Sequence, residues 1–189
     1  MTPVIHKERD DSRIAAALEL PVAALYRGRG FEHQTVRFLC GPASVANLLR
    51  SFGDPVEPRR LLDDTEVSTF FGFRGGTTLD QLAHVVRAKS ARRATVLRDL
   101  TLDAFREHLL GSNDPARRYI VNFHRGALFG WGGGHHSPIA GYLEADDLAL
   151  ILDVNRRVGP WLASAPRLFS ALSTVDPSTR QRRGLLLVE

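Results

Sequence analysis

Apolar residues recur at helical spacing from Ser12 to Tyr26, at Ile14, Leu18, Val22 and Leu25, and Pro21 predicts a break or kink between two helical pieces. Gly28 and Gly30 mark the loop that follows. Cys40 to Leu49, CGPASVANLL, reads as a helix, with Pro42 tolerated in its first turn and Gly53 as its stop. Pro55 and Pro58 fall in a loop, a short helical piece is expected near Arg60 to Asp64, and Gly72, Gly75 and Gly76 make the next loop. Thr78-Leu79-Asp80-Gln81 is a capping-box start for a helix running to about Lys89, and another helix covers Leu102 to Leu110 and ends at Gly111. After that the period changes. Tyr119 to His124, Ser137 to Leu143, Leu148 to Asp153 and Gly184 to Val188 are short apolar runs punctuated by Gly, Asp and Pro, and read as strands. Helices first and strands afterwards favour an α+β fold with an antiparallel sheet over a βαβ-wound one. There is no internal repeat and no interdomain linker, so residues 1–189 are expected to form one domain, with 1–22 as a peripheral N-terminal segment.

Composition narrows the class. With 189 residues, 43% hydrophobic and 24% charged, the chain is long enough for one sizeable core and too apolar for disorder. No apolar run approaches the ~20 residues needed to span a bilayer, so no membrane partner is expected. The first residues, MTPVIHKERDDSRIA, are too charged for a secretory leader, and the expectation is a cytoplasmic protein. The net charge is +4, and Lys7 and Lys89 are the only lysines, so the basic side is nearly all arginine. Arginine suits bidentate recognition of carboxylate and phosphate. These arginines are scattered and carry no interleaved aromatic stripe, which argues against a nucleic-acid partner and fits a small anionic substrate. The oligomeric state stays open, a homodimer being one alternative.

Cys40 is the single cysteine, which excludes an intramolecular disulfide framework and any site of several thiolates. A lone cysteine is ordinarily a small buried hydrophobe. This one stands at a predicted helix start, where free N–H groups and the helix dipole stabilise a thiolate, the nucleophile of cysteine acyl-transfer enzymes. Gln34, six residues upstream, could donate its amide to an oxyanion formed on attack by Cys40. Downstream, His135 follows the glycine-rich loop Gly130 to Gly134, and Asp153 closes the run Leu148 to Leu152. Two adjacent antiparallel strands would set imidazole and carboxylate side by side, the acid fixing the orientation of the base. Each residue alone could be an ordinary loop or turn residue; a helix-start Cys with Gln before it and His and Asp after it is a candidate triad.

The adjacent pair His135 and His136 suggests a metal site. Consecutive strand residues point to opposite faces and no third ligand stands at a recognisable spacing, so no dedicated metal site is expected. Gly132 to Gly134 is not a phosphate loop, because no Lys-Ser/Thr and no helix start follow it. It is expected to give clearance beside His135 or to make a turn.

Five segments together resemble the catalytic domain of the phytochelatin synthases, in the papain-like cysteine peptidase superfamily: QTVRFLCGPASVANLL (Gln34 to Leu49), NFHRG (Asn122 to Gly126), GHHSPIAGY (Gly134 to Tyr142), LALILDVNR (Leu148 to Arg156) and RRGLLLV (Arg182 to Val188). They stand in the family's order, and Asp153 follows His135 by eighteen residues, as the resemblance requires. The resemblance implies a papain-like α+β domain with Cys40 as nucleophile, His135 as base and acid, Asp153 as orienting carboxylate and Gln34 as oxyanion donor. It implies that Arg125, Arg156 and Gly134 contact substrate, and that the substrate is glutathione or a glutathione conjugate. The peptide bond before glycine would be attacked, leaving γ-glutamylcysteine as a thioester that passes to water or to a second glutathione. No cofactor is implied; Cd or Zn would enter as glutathione thiolate complexes.

Three departures shape the expected outcome. Leu39 stands where the family has an aromatic, and His136 where Phe is common. The segment Asn155 to Trp161 is shortened and lacks the family's basic–aromatic pair, and the chain carries no cysteine-rich extension. These favour the pattern of the short bacterial forms, in which hydrolysis outweighs transpeptidation. The alternatives are a true synthase, a leader-peptide-cleaving peptidase of the bacteriocin-processing type, whose acid is usually followed by Pro rather than by Val154, and an inactive glutathione-binding or metal-responsive module.

Overall fold

A computed structural model describes residues 11–36, 38–54, 56, 61 and 76–189. The expected helical piece near Arg60 to Asp64 (Leu61 apart), Pro55, Pro58, Gly72 and Gly75 lie outside the described residues. Two short helices, α1 (Asp11–Leu18) and α2 (Pro21–Gly28), are separated at Pro21, which takes a first-turn position of the second. Helix α3 (Cys40–Phe52) ends at Gly53, whose φ of 103° is left-handed and lets its N–H return to the carbonyls of Leu49 and Arg50. Helix α4 (Leu79–Lys89) opens on the complete capping box: Thr78 accepts from the Gln81 N–H and the Gln81 side chain accepts from the Thr78 N–H. There follow β1 (Ala94–Leu97), α5 (Leu102–Gly111), β2 (Arg118–His124), α6 (Arg125–Phe129), β3 (Gly134–Leu143), β4 (Leu148–Leu152), β5 (Pro160–Ser164), α7 (Ala165–Leu172), the two-residue strands β6 (Val175–Asp176) and β7 (Gln181–Arg182), and β8 (Gly184–Val188).

The main sheet runs β1-β8-β2-β3-β4-β5, every neighbouring pair antiparallel. Alternation of side chains sends Ile120, Ala140, Leu150, Leu162 and Leu186 to one face, which α1 to α4 cover. It sends Tyr119, Val121, Phe123, Ile139, Ile151 and Trp161 to the other, where Phe105 and Leu109 of α5 and Leu168 and Leu172 of α7 pack. An antiparallel sheet with both faces covered explains why its central strands lack polar alternation: every residue of β4 is buried.

The α+β reading and its antiparallel sheet hold, and the strict helices-then-strands order does not. β1 precedes α5, while α6 and α7 interrupt the strands. β1 and β5 are the two edge strands, which carry short apolar runs. β1 is buried only at Ala94, and β5 begins on a proline whose missing N–H an edge strand tolerates. The strand expected from Ser137 begins three residues earlier, at Gly134, so His135 is a strand residue.

Candidate active site

Cys40 is the first residue of α3, and α3 packs on β3, so the thiol meets the first residues of that strand. Val154 and Ala43 pack against it, and the residue is 5% exposed. His135 and His136 project from β3 on opposite faces, opposite Phe123 and Asn122 of β2 in the register. The expectation that alternation keeps the two rings apart is corrected in one respect. Both reach the same sulfur, because Cys40 sits against the start of the strand that carries them: Sγ lies 3.8 Å from His136 Nδ1 and within hydrogen-bonding reach of His135.

His135 is aligned from behind. Its Nε2 donates to Asp153 Oδ1 at 2.8 Å, which leaves Nδ1 for the thiol. Phe123 meets the ring edge-on with centroids 5.6 Å apart. Asp153 directly follows β4, the antiparallel neighbour of β3, as the two-strand reading requires. Its carboxylate is fully engaged: Oδ1 also accepts from the Asn155 N–H at 2.8 Å, and Oδ2 accepts from Trp161 Nε1 at 3.3 Å. Trp161 comes from β5, the next strand out.

Electrostatics turn this geometry into an ion pair. Burial alone would push the Cys40 thiol up, but hydrogen bonds from His135 and His136 and the positive charge of His135 outweigh it and hold the thiol well below its ordinary value. Burial likewise disfavours a charged His135; its hydrogen bonds to Asp153 and Cys40 and their negative charge outweigh that and raise it to about 9. Between those limits the site holds thiolate beside imidazolium, the charge state that a cysteine nucleophile and its proton donor require.

One cavity opens on Cys40, and a second lies beside Gln34 and Asn155. The smaller, about 210 Å³, is lined by Cys40, His136, Gly134, Thr77, Asp176 and Arg183, among others. Arg183 is 4% exposed; its Nη1 donates to Asn122 Oδ1 at 2.9 Å and to Asp176 Oδ2 at 3.0 Å. Burial would raise the Asp176 carboxyl, but its Ser178 hydrogen bonds and the charge of Arg183 hold it below the usual carboxylate range. Gly134 lines this cavity, and a side chain there would collide with the Arg183 guanidinium, so the glycine clears space for that arginine.

The larger cavity, about 580 Å³, is lined by Gln34, Arg125, Trp131, Gly132, Arg156 and Arg157, among others. Gln34 is tied down by its own N–H, which donates to Val154 O at 2.8 Å, and Val154 packs on Cys40. Arg125 lies with its guanidinium carbon 5.8 Å from the Trp131 ring centre. Arg156 and Arg157 are exposed, on the tight turn that Asn155 closes by accepting from the N–H groups of Val158 and Gly159. The structure thus brings together Cys40, His135 and Asp153, ties Gln34 beside them, and places Arg125 and Arg156 in the second cavity. The sequence reading missed Arg183, Asp176 and Asn122. The available signals were the charge of Arg183 directly before the apolar run Gly184 to Val188 and the place of Asn122 and Arg183 in two of the family-like segments. Among the described residues no group of three or more His, Cys, Asp and Glu side chains is arranged to hold a metal ion.

A helix-start cysteine facing a strand-borne histidine and acid across this sheet defines the class: the fold is that of the papain-like cysteine peptidases. A C39-like peptidase from Bacillus anthracis shares it with a TM-score of 0.60 at 13% identity, over 85% of this chain and 94% of that one. The peptidase domain of Streptococcus ComA, from a bifunctional ABC transporter in a quorum-sensing pathway, gives 0.55 at 19%, over 84% and 96%. Within that class the chain belongs to the phytochelatin synthase family, whose model matches residues 24–185. It is 32% identical to Arabidopsis thaliana glutathione gamma-glutamylcysteinyltransferase 2 over 173 residues, 84% of this chain and 38% of that protein. It is 33% identical to the Lotus japonicus glutathione gamma-glutamylcysteinyltransferase 3 over 170 residues, 84% and 36%, and 28% identical to the Schizosaccharomyces pombe enzyme over 119, 61% and 29%. The chain therefore spans little more than a third of the length of the plant relatives.

Proposed function

We propose that the chain transfers the γ-glutamylcysteinyl unit of glutathione through a thioester on Cys40, with water as the main acceptor. The observation that carries the first half is that Cys40, held by the Cys40–His135–Asp153 arrangement, shares a small cavity with the buried Arg183 and its half-buried partner Asp176. The γ-glutamyl end of glutathione bears an α-carboxylate and an α-ammonium on one carbon. A guanidinium and a carboxylate fixed side by side complement that zwitterion.

In this reading the thiolate attacks the carbonyl of the bond between cysteine and glycine. The negative charge that develops on oxygen is met by the Gln34 amide and the free N–H groups opening α3. His135 passes its Nδ1 proton to the glycine nitrogen, the carbon–nitrogen bond breaks, and glycine leaves. Asp153 stays ionised and holds the ring throughout. Water then enters, His135 takes its proton, the carbon–sulfur bond breaks, and γ-glutamylcysteine departs with Cys40 again a thiolate. Arg125 and Arg156 are assigned the carboxylates on the glycine side, and Cd or Zn arrives bound to glutathione thiolates.

The choice of water rests on the second cavity. An acceptor amine outcompetes water only when it is held in attack geometry, where the effective concentration is large. Arg156 and Arg157 stand exposed on a surface turn, and exposed arginines without buried partners attract an anion without orienting it. Incubation with millimolar glutathione, with and without Cd or Zn, and mass analysis of the products tests the proposal. γ-Glutamylcysteine and glycine in equal amounts are expected; oligomers of γ-glutamylcysteine as the major product would make the chain a synthase, and no glycine release would remove glutathione as substrate.

A further inference from the structure

The triad accounts for His135 and leaves His136 without a role, although His136 is 4% exposed and its Nδ1 lies 3.8 Å from the reactive sulfur. Its other nitrogen, Nε2, is buried and has no hydrogen-bond partner among the described residues. A neutral imidazole carries one proton. On Nε2 that proton would be a buried N–H without an acceptor; on Nδ1 it points to a sulfur that carries negative charge. From this geometry we infer that His136 is a positioning residue: a neutral Nδ1–H donor that holds Cys40 as a thiolate, beside the proton-transferring His135. The two rings divide the work. His135 has Asp153 on Nε2 and can carry the positive charge and give the proton away. Among the described residues His136 has no carboxylate partner of that kind, and it keeps its proton through the cycle.

The groups facing the sulfur fit this division. His135 and His136 are the titratable neighbours on β3, Asp153 stands behind His135, and Asp176 and Arg183 pair with each other across the small cavity. Thr77, before α4, is uncharged. A thioester sulfur is a weak acceptor, so the His136 N–H has its full partner only while the thiolate exists. The residue therefore favours thiolate both before attack and as the leaving group when the acyl-enzyme breaks down.

The inference rests on Cys40 as the nucleophile proposed above and on no particular substrate, so it is tested by alkylation of Cys40 with iodoacetamide as a function of pH, independently of glutathione. His136→Phe keeps the ring and removes the donor; the midpoint should move up by about one pH unit. His136→Asn puts an amide N–H where Nδ1–H stood and should recover most of that shift. An unmoved midpoint in His136→Phe, or no recovery in a folded His136→Asn, overturns the role. The wild-type chain supplies a reading that needs no variant: with 15N-labelled histidine, His136 should appear as the neutral Nδ1–H tautomer, and an Nε2–H tautomer or an imidazolium would overturn it. Loss of glutathione cleavage with the midpoint shift intact would instead remove the substrate reading and leave this one standing.

Discussion

The cavity at Cys40 on the Arg183 side measures about 210 Å³ and is walled by an arginine that is 4% exposed, with both Asn122 and Asp176 bonded to one of its nitrogens. The cavity on the Gln34 side measures about 580 Å³ and is edged by Arg156 and Arg157 from an exposed turn. Both present arginine; in the first it is fixed by Asn122 and Asp176, in the second Arg156 and Arg157 are exposed. A charge fixed by buried partners spends no ordering entropy on a ligand, whereas a free arginine loses rotamer freedom each time it binds. In the function proposed above, the first cavity takes the acyl half of the substrate and the second leaves the acceptor half to solvent.

Experiments that remove one feature at a time can break this contrast. Cys40→Ala should abolish glycine release while the far-UV spectrum and thermal midpoint stay near wild type; turnover in that variant would end the nucleophile assignment. Asp153→Asn comes next. The corresponding change in a serine triad costs ~10⁴ in kcat. A cysteine enzyme should lose less, about 10²–10⁴, since its thiol is intrinsically more acidic. KM should hardly move; a rise in KM at constant kcat would make Asp153 a binding residue.

Arg183→Met should lower kcat/KM roughly 10- to 100-fold, matching the ~1.5–3 kcal/mol of a charge-assisted hydrogen bond. Arg183→Lys, which keeps the charge and loses the fork, should fall between. Arg156→Ala, on the open side, should cost less than about 3-fold, as exposed charge contacts do. Equal losses at Arg183 and Arg156 would erase the distinction between the two cavities. The smallest expected effect is on pH. The acid limb of kcat/KM should lie well below the ordinary thiol range, because His135 and His136 hold the thiol down. The alkaline limb should fall near pH 9, where His135 loses the proton it must deliver to the leaving amine. An acid limb at the ordinary thiol value would mean the ion pair does not form.

Much of this was legible in local sequence. Pro42 near the start and Gly53 after the end bracket α3 and so put Cys40 at a helix start. Thr78 and Gln81 specify their cap within four residues. His135 stands on β3 and Asp153 directly after β4, the next strand, so a hairpin-like pairing suffices to join them. The arginine cavity was not legible. Asn122 and Arg183 are 61 residues apart and meet because β8 inserts between β1 and β2, while Asp176 reaches Arg183 through the short β6–β7 ribbon. In a chain with 25 Lys and Arg, nothing local separates this buried arginine from the solvated ones.

Local chemistry, then, determined α1 to α5, the strands β2, β3, β4 and β8 and the candidate triad, because caps, breakers and periodicity act over a few residues and family motifs preserve order; β1, β5, α6 and α7 it did not. What sits around the sulfur was decided by tertiary structure. Strand alternation sends His135 and His136 to opposite faces, and only the packing of α3 against the start of β3 lets both rings reach Cys40. The same holds for Trp161, whose indole N–H reaches Asp153 because β5 pairs with β4. Such contacts join groups whose separation along the chain carries no period, and a sheet fixes them only once all its strands are in place.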